Sequence, residues 1–410
     1  MSKNINEIIP KWRFPEFMNS GQWEEKKIDT LGKLINGLNG KKSDDFGSGE
    51  PYIQYKQVFD KSYIDFSECG KVNIKDDEKQ NAVQKGDVLF TTSSETPDEV
   101  GFASVVVTKP HKKTYLNSFC FILRPFDLEK TSSSFYRFLF RSSIYRKSVS
   151  AIAQGSTRYN LSKIAFLKLK IPIPPKPEEQ QKIADCLSSI DDLISAEEKK
   201  LSLLNDYKKG WIQKLFPAEG KTVPEWRFPK FRDSGEWQKT KLAKICLITT
   251  GKLDANAMVE DGKYRFYTCA KEFFRIDRYT FDTEALLISG NGANVGYIHY
   301  YKGKFNAYQR TYVLYEFQEN ICYVKYFLEK YLSSRIADEK NIGNTPYIVR
   351  GTLSEMEIII PEKSVEQEKI ANFLSGIDDL IGRQTDKIEV LKQHKQALMQ
   401  GLFPATEEVW

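Results

Sequence analysis

One stretch of this chain, Pro177 to Pro217, occurs twice, and the distance between the copies does not change. EEQQKIADCLSSIDDLI (Glu178 to Ile194) returns as VEQEKIANFLSGIDDLI (Val365 to Ile381), and a shift of 187 carries Ile183 onto Ile370 and Phe216 onto Phe403. Both copies close on LFPA, at Leu215 to Ala218 and at Leu402 to Ala405. A constant shift over so long a stretch marks the duplication of one unit.

Within each copy apolar residues recur at alternating steps of four and three: Ile183, Leu187, Ile190, Ile194, Leu201 and Leu204, answered by Ile370, Leu374, Ile377, Ile381, Ile388 and Leu391. Trp211 and Leu215 extend the first series, Leu398 and Leu402 the second. That period of 3.5 calls for a partner helix with the same seam, and each copy is the natural partner of the other. Prolines bracket both copies, at Pro177 and Pro217 and at Pro361 and Pro404, where helices are expected to start and stop. At 1.5 Å per residue each copy would form a rod about 58 Å long. The seams are broken at matching places, Glu197 and Lys208 against Gln384 and Lys395; polar residues there either set the register, the favoured reading, or mark where the seam opens.

A second repeat precedes each globular stretch. IPKWRFPEFMNSGQWEEKKI (Ile9 to Ile28) returns as VPEWRFPKFRDSGEWQKTKL (Val223 to Leu242) with a shift of 214, so the first globular stretch is 27 residues longer than the second. The order is lead motif, globular domain, rod, then all three again. With 410 residues the chain exceeds one ordinary core, and the boundaries fall at 1–177 (first domain), 178–217 (first rod), 218–364 (second domain) and 365–405 (second rod).

The domain interiors mix β-prone runs with one helical stretch. Strands are expected at Pro51–Phe59, Asp87–Thr92, Ser104–Thr108, Ser118–Leu123 and Phe166–Ile173, with a helix at Ser134–Ile152. In the second domain they are expected at Tyr264–Cys269, Ala285–Ser289, Val295–Tyr300, Thr311–Phe317 and Met356–Ile360, with a helix at Ile321–Ala337. The expected fold is one α/β (α+β) domain used twice, with two long helices pairing as an antiparallel coiled coil in a cyclic, pseudo-two-fold arrangement whose termini lie close together. Rods and lead motifs agree almost residue for residue, whereas the interiors agree only in pattern. Two readers of different targets sharing common machinery would look like this, and so would drift in unconstrained loops.

Composition narrows the partner. The net charge is +6, but the rods carry −2 and −1, which leaves +9 on the rest of the chain and favours a polyanionic partner. Six scattered cysteines predict reduced thiols and no structural zinc. No signal peptide and no apolar run long enough for a bilayer is evident, so a soluble, cytoplasmic protein without membrane contact is expected.

Taken together, the rods with their twin IDDLI segments, the WRFP lead motifs and the alternation of variable and repeated regions resemble the specificity subunit of a type I restriction-modification system. GSTRYNLS (Gly155 to Ser162), LLISGNGANVGYI (Leu286 to Ile298) and AYQRTYVL (Ala307 to Leu314) add to the likeness, which runs from Trp12 to Pro404. The resemblance implies a non-catalytic subunit whose two target-recognition domains each read half of a bipartite sequence in double-stranded DNA. It implies helices that set half-site spacing and help dock two methyltransferase subunits, and two motor-endonuclease subunits that join for cleavage. The partners would use S-adenosylmethionine, ATP and Mg; this chain would hold none of them. IGNTPYIV (Ile342 to Val349) stands where the first domain has QGSTRYNL, so Arg158 has no counterpart in the second domain.

The residues themselves show no catalytic set. His111, His299 and His394 lie far apart and none opens an HExxH pair, GKT at Gly220 to Thr222 lacks the upstream glycine of a P-loop, and no asparagine-proline-proline-aromatic motif is present. Amide and arginine side chains suit base edges, and lysines suit phosphates. On that chemistry the first domain offers Lys41 and Lys42 for phosphate and Arg158, Tyr159 and Asn160 for bases. The second offers Lys252 and Lys271 for phosphate and Asn291, Asn294, Gln309, Arg310 and Asn344 for bases. Each of these is equally well explained as a solvated or turn-stabilising residue. Asp191, Asp192, Asp378 and Asp379 lie off the seam, either as a solvated helix face or as a docking patch for the methyltransferase. Two other classes compete: a stand-alone DNA methyltransferase or nuclease with fused specificity domains, and a coiled-coil scaffold without a DNA role.

Overall fold

The computed structural model describes residues 8–128, 132–339 and 347–405. Two compact units emerge, one comprising the chain up to Glu197 together with the segment from Ile388 on, the other Glu198–Lys387. Each unit therefore takes one domain, the first half of the helix that follows it, and the last part of the other long helix.

Both long helices form where the apolar period and the prolines place them, at Pro177–Leu215 and Ser364–Leu402, 39 residues each. Pro177 occupies the first turn, where its missing N–H costs nothing, and the acidic residues Glu178, Glu179 and Glu366 sit at the positive end of the helix dipole. Proline follows each C-terminus directly after LF.

In the first unit the central sheet runs Gly32–Asn36, Cys120–Pro125, Val88–Thr91, Ala103–Val105, with every neighbour antiparallel. Glu24–Lys27 pairs with Lys170–Ile173, tying the lead motif to the strand before the helix. Phe46–Ile53 stands apart in a three-stranded sheet with Gly70–Val72 and Tyr115–Leu116. The core gathers Trp23, Phe90, Phe121, Phe135, Phe140 and Phe166 with Ile183 and Leu187 of the first long helix and Leu402 and Phe403 of the second.

The second unit repeats this plan and extends it. Leu247–Thr250, Thr311–Tyr315, Phe281–Ser289 and Ile298–Ala307 follow one another in the same order as the four strands of the first unit. Tyr264–Tyr267 then adds in parallel to Ile298–Ala307, and Phe274–Ile276 closes a six-stranded sheet. Gln238–Lys241 pairs with Glu357–Ile360 as the lead pairing of the first unit does. The core joins Ile212, Leu215 and Phe216 of the first long helix to Ile370, Leu374 and Ile377 of the second, around Tyr323 and Phe327.

Several boundaries differ from the sequence expectation. Tyr55–Asp60 is a helix, and so is Lys163–Lys168; only Lys170–Ile173 of the expected last strand is extended. Arg141 holds the end of the helix Tyr55–Asp60 by donating to the carbonyls of Val58, Phe59 and Lys61, a tertiary cap that no local pattern reveals. Ser162 caps the second by accepting from the Ala165 N–H. The expected helix Ser134–Ile152 is two helices, Ser133–Leu139 and Ser143–Ser150, split where the buried Ser142 hydroxyl donates to the Leu139 carbonyl. The matching segment of the second unit is unbroken, Ile321–Asp338.

Candidate nucleic-acid interface

The frame that carries the candidate loops is built from the repeated residues. Arg13 closes two bonds of 2.7 Å on the Glu179 carboxylate, with side chains 4% and 1% exposed, and donates a third to the Gly21 carbonyl. Arg227 does the same with Glu366, through Nε at 2.8 Å and Nη2 at 2.7 Å, and with the Ser234 and Gly235 carbonyls. Beside each pair a helix glutamine, Gln180 or Gln367, donates to the carbonyl of the proline that follows the last strand and accepts the backbone N–H of a domain helix N-cap, Ser132 or Asn320. The recurring letters W-R-F-P and E-Q are thus the two sides of one latch. One detail separates the copies: Trp23 Nε1 donates to Glu179, whereas Trp237 Nε1 is buried without a bonding partner.

Asp191 and Asp378 belong to this frame rather than to a free patch. Asp191 meets Arg137 of its own domain and Lys395 of the second long helix, each at 2.5 Å. Asp378 meets Lys325 at 2.8 Å and Lys208 at 2.7 Å. The polar breaks Lys208 and Lys395 therefore set the antiparallel register by ion pairing. Burial would raise the Asp378 carboxyl, but Lys325, Lys208 and the Tyr326 hydroxyl together hold it below its ordinary value. Asp192 and Asp379, by contrast, are exposed. The twelve seam residues are all buried or half-buried, but Ile183, Leu187, Ile370, Leu374 and Ile377 pack into domain cores as well as along the helix pair.

In the first unit the candidate base readers sit on a hairpin. Ala153–Gln154 pairs with Tyr159–Leu161, which pairs in turn with Ser93–Ser94. Gly155, with φ +142°, starts the tip; a Cβ there would collide with the Arg158 carbonyl. Arg158 Nε donates to the Ser93 hydroxyl at 3.1 Å, and its guanidinium lies 5.4 Å from the centre of the Phe119 ring. The tip faces a cleft of about 820 Å³ lined by Tyr55, Phe59, Ser93, Glu95, Glu99 and Arg158 among others. The Tyr55 hydroxyl donates to the Ser93 carbonyl at 2.6 Å, and burial raises its pKa. Asn160, on the central strand between Gln154 and Ser93, has an exposed side chain that donates to the Arg158 carbonyl. Tyr159 is half-buried and packs against the core. Lys41 is also lost as a phosphate hook, because its ammonium is buried against the Glu78 carboxylate. Lys42 remains exposed.

In the second unit Gly290, Gln309, Arg310 and Tyr312 gather around a smaller cleft of about 260 Å³. Asn291 pairs with Tyr347, and Arg310 and Gln309 are exposed, Gln309 held by Asp254 at 2.7 Å. Asn294 instead donates to the Cys269 carbonyl at 3.1 Å and stabilises the turn. His299 is bonded to the Ala270 carbonyl, and burial lowers its pKa. Lys252 and Lys271 are exposed, and Asn344 lies outside the described residues.

The ladders also correct the alignment of the two loops. Leu161 N–H bonds to Thr92 O beside the Asn160–Ser93 pair, and Ile348 N–H bonds to Gly290 O beside the Tyr347–Asn291 pair. Leu161 thus matches Ile348, the shift of 187 again, and Tyr347 matches Asn160 rather than Tyr159. Tyr55, Glu95 and Phe119 escaped the sequence reading because they come from remote segments; nothing local marks them.

A family model described as "Type I restriction modification DNA specificity domain" matches residues 20–206 and 234–393. The chain belongs to this family. The type I restriction enzyme EcoDI specificity subunit of Escherichia coli is 36% identical over 40% of this chain, although the match spans only 37% of that protein. The putative type I restriction enzyme MjaX specificity subunit of Methanocaldococcus jannaschii is 28% identical over 92% of both chains. A solved type I restriction-modification S subunit from M. genitalium covers 97% of this chain and 100% of its own, with a TM-score of 0.63 at 16% identity, and shares the fold. The match takes in most of both domain segments and of both long helices, while Arg13 and Arg227 of the lead motifs lie just ahead of its two parts.

Proposed function

We propose that this chain is the non-catalytic DNA sequence-specificity subunit of a type I restriction-modification complex. Its domains, at 1–177 and 218–364, each read one half of a bipartite target, and the helices at 178–217 and 365–405 set the half-site spacing. The observation that carries this reading is a frame whose arginine–glutamate pair and glutamine bonds recur in both units, supporting loops that share almost nothing. Ser93 and Asn160 of the first domain stand where the second has Asn291 and Tyr347. A common frame with unlike loops is what two readers of different sequences need.

The duplication extends to the exposed helix surface. Leu193 at 42% and Leu380 at 47% exposure are equivalent, as are Leu203 at 60% and Val390 at 62%. Asp192 and Asp379, which precede Leu193 and Leu380 in the chain, are exposed as well. Two equal patches fit two copies of one partner, the methyltransferase subunits, which bring S-adenosylmethionine. Two motor-endonuclease subunits with ATP and Mg complete the complex. Among the described residues no helix is long and apolar enough to cross a membrane. The complex acts on double-stranded DNA in the cytoplasm. The purified chain is expected to bind duplex DNA in a salt-dependent way without methylating or cutting it, and to gain methylation when the methyltransferase and its donor are added. Donor-dependent methyl transfer by the chain alone would overturn this reading.

A further inference from the structure

Arg158 and Glu95 are both exposed and line the same cleft, yet among the described residues they form no ion pair with each other or with any other group. The guanidinium is fixed on two sides. Its Nε is bonded to the Ser93 hydroxyl, which is itself buried, and one face rests over Phe119. What remains is the terminal edge, a two-donor fork on a side chain that lines the cleft. Such a fork matches a phosphate or the O6 and N7 acceptors of guanine. The neighbouring carboxylate separates these, since it repels a phosphate and accepts from the N4 amino group of cytosine.

In the major groove a G·C pair presents two acceptors followed by a donor, whereas an A·T pair alternates acceptor, donor, acceptor. Two donors beside an acceptor complement only the first order. Resting on the specificity-subunit reading, we propose that Arg158 and Glu95 together read one G·C base pair of the first half-site, Arg158 taking the guanine and Glu95 the cytosine. Ser93 is the positioning residue that holds the fork.

The test uses the complex of this chain with its methyltransferase, the methyl donor, and a duplex library randomised across the first half-site, with methylated molecules sequenced. The wild-type complex should select one G·C pair in a single orientation. Arg158→Ala, Arg158→Lys and Glu95→Ala should each relax that one position by about tenfold to a hundredfold and leave the other positions unchanged. Arg158→Lys keeps the charge but not the fork, so full retention of the preference in that variant would make the contact a phosphate contact and overturn the proposal. Relaxation of two different positions by the Arg158 and Glu95 variants, or an A·T pair at the affected position, would also overturn it while sparing the wider reading. A wild-type complex that methylates without any sequence selection would sink both.

Discussion

Arg13 and Arg227 each close on a carboxylate in the first turn of a long helix, and both pairs are almost completely buried. A buried ion pair adds modest net stability, but removing one member strands the other charge in a dry site. Arg13→Ala should therefore destabilise the first unit by about 3–5 kcal/mol, and Arg227→Ala the second by a similar amount, read as a lowered denaturation midpoint for that unit alone. Asp378 gives a pH signature. Its folded pKa is depressed, so the stability it contributes is complete above the ordinary value of 3.8 and is lost as the pH falls through the lower folded value. Asp378→Asn should lower stability at neutral pH by roughly 1–2 kcal/mol, discounted for partial exposure, and flatten the acid limb of the unfolding profile. At this scale the sequence was an uneven guide. Arg158 could be singled out because its loop is polar and glycine-led, whereas Lys41 looked identical to Lys42 until Glu78, remote in sequence, was seen to bury it.

The long helices were legible almost to the residue, because a 3.5-residue period over so many turns and prolines at both ends leave few alternatives. Short elements were not. Tyr55–Asp60 reads as β-prone and is helical because Arg141, from another segment, holds its carbonyl end. A seam also does not say what else it touches: the ends of both helices are core residues of the domains. Phe403 packs at 6.0 Å from Trp23 and 5.7 Å from Phe135, as Phe216 packs at 5.1 Å from Tyr323. Phe403→Ala should cost about 3–5 kcal/mol in the first unit, measured by chemical denaturation, with the second unit unaffected.

The order of elements is cyclic in its contacts as well as in its letters. Trp12 N–H bonds to the Gly401 carbonyl at 2.8 Å, and Trp226 N–H bonds to the Lys214 carbonyl at 3.0 Å, positions related by the same shifts of 214 and 187. Trp12 and Gly401 are joined in this way; the expectation that the termini lie close together concerns residues 1–7 and 406–410, which lie outside the described residues. The fragment Met1–Gly220 holds the first domain, which needs a helix end like Leu402 and Phe403, and offers Leu215 and Phe216 as equivalents. A straight helix of this length, about 58 Å, cannot fold back to fill its own domain. A second copy can, so the fragment should sediment as a homodimer, and Leu187→Lys should abolish that dimer by charging a fully buried position. The central claim, two unlike domains reading two unlike half-sites, is met most directly by mapping methylated bases genome-wide in cells that carry this chain and its methyltransferase. The expected methylome shows a motif of two different short half-sites separated by a spacer of fixed length and free sequence; a single continuous motif would rule out two separate readers.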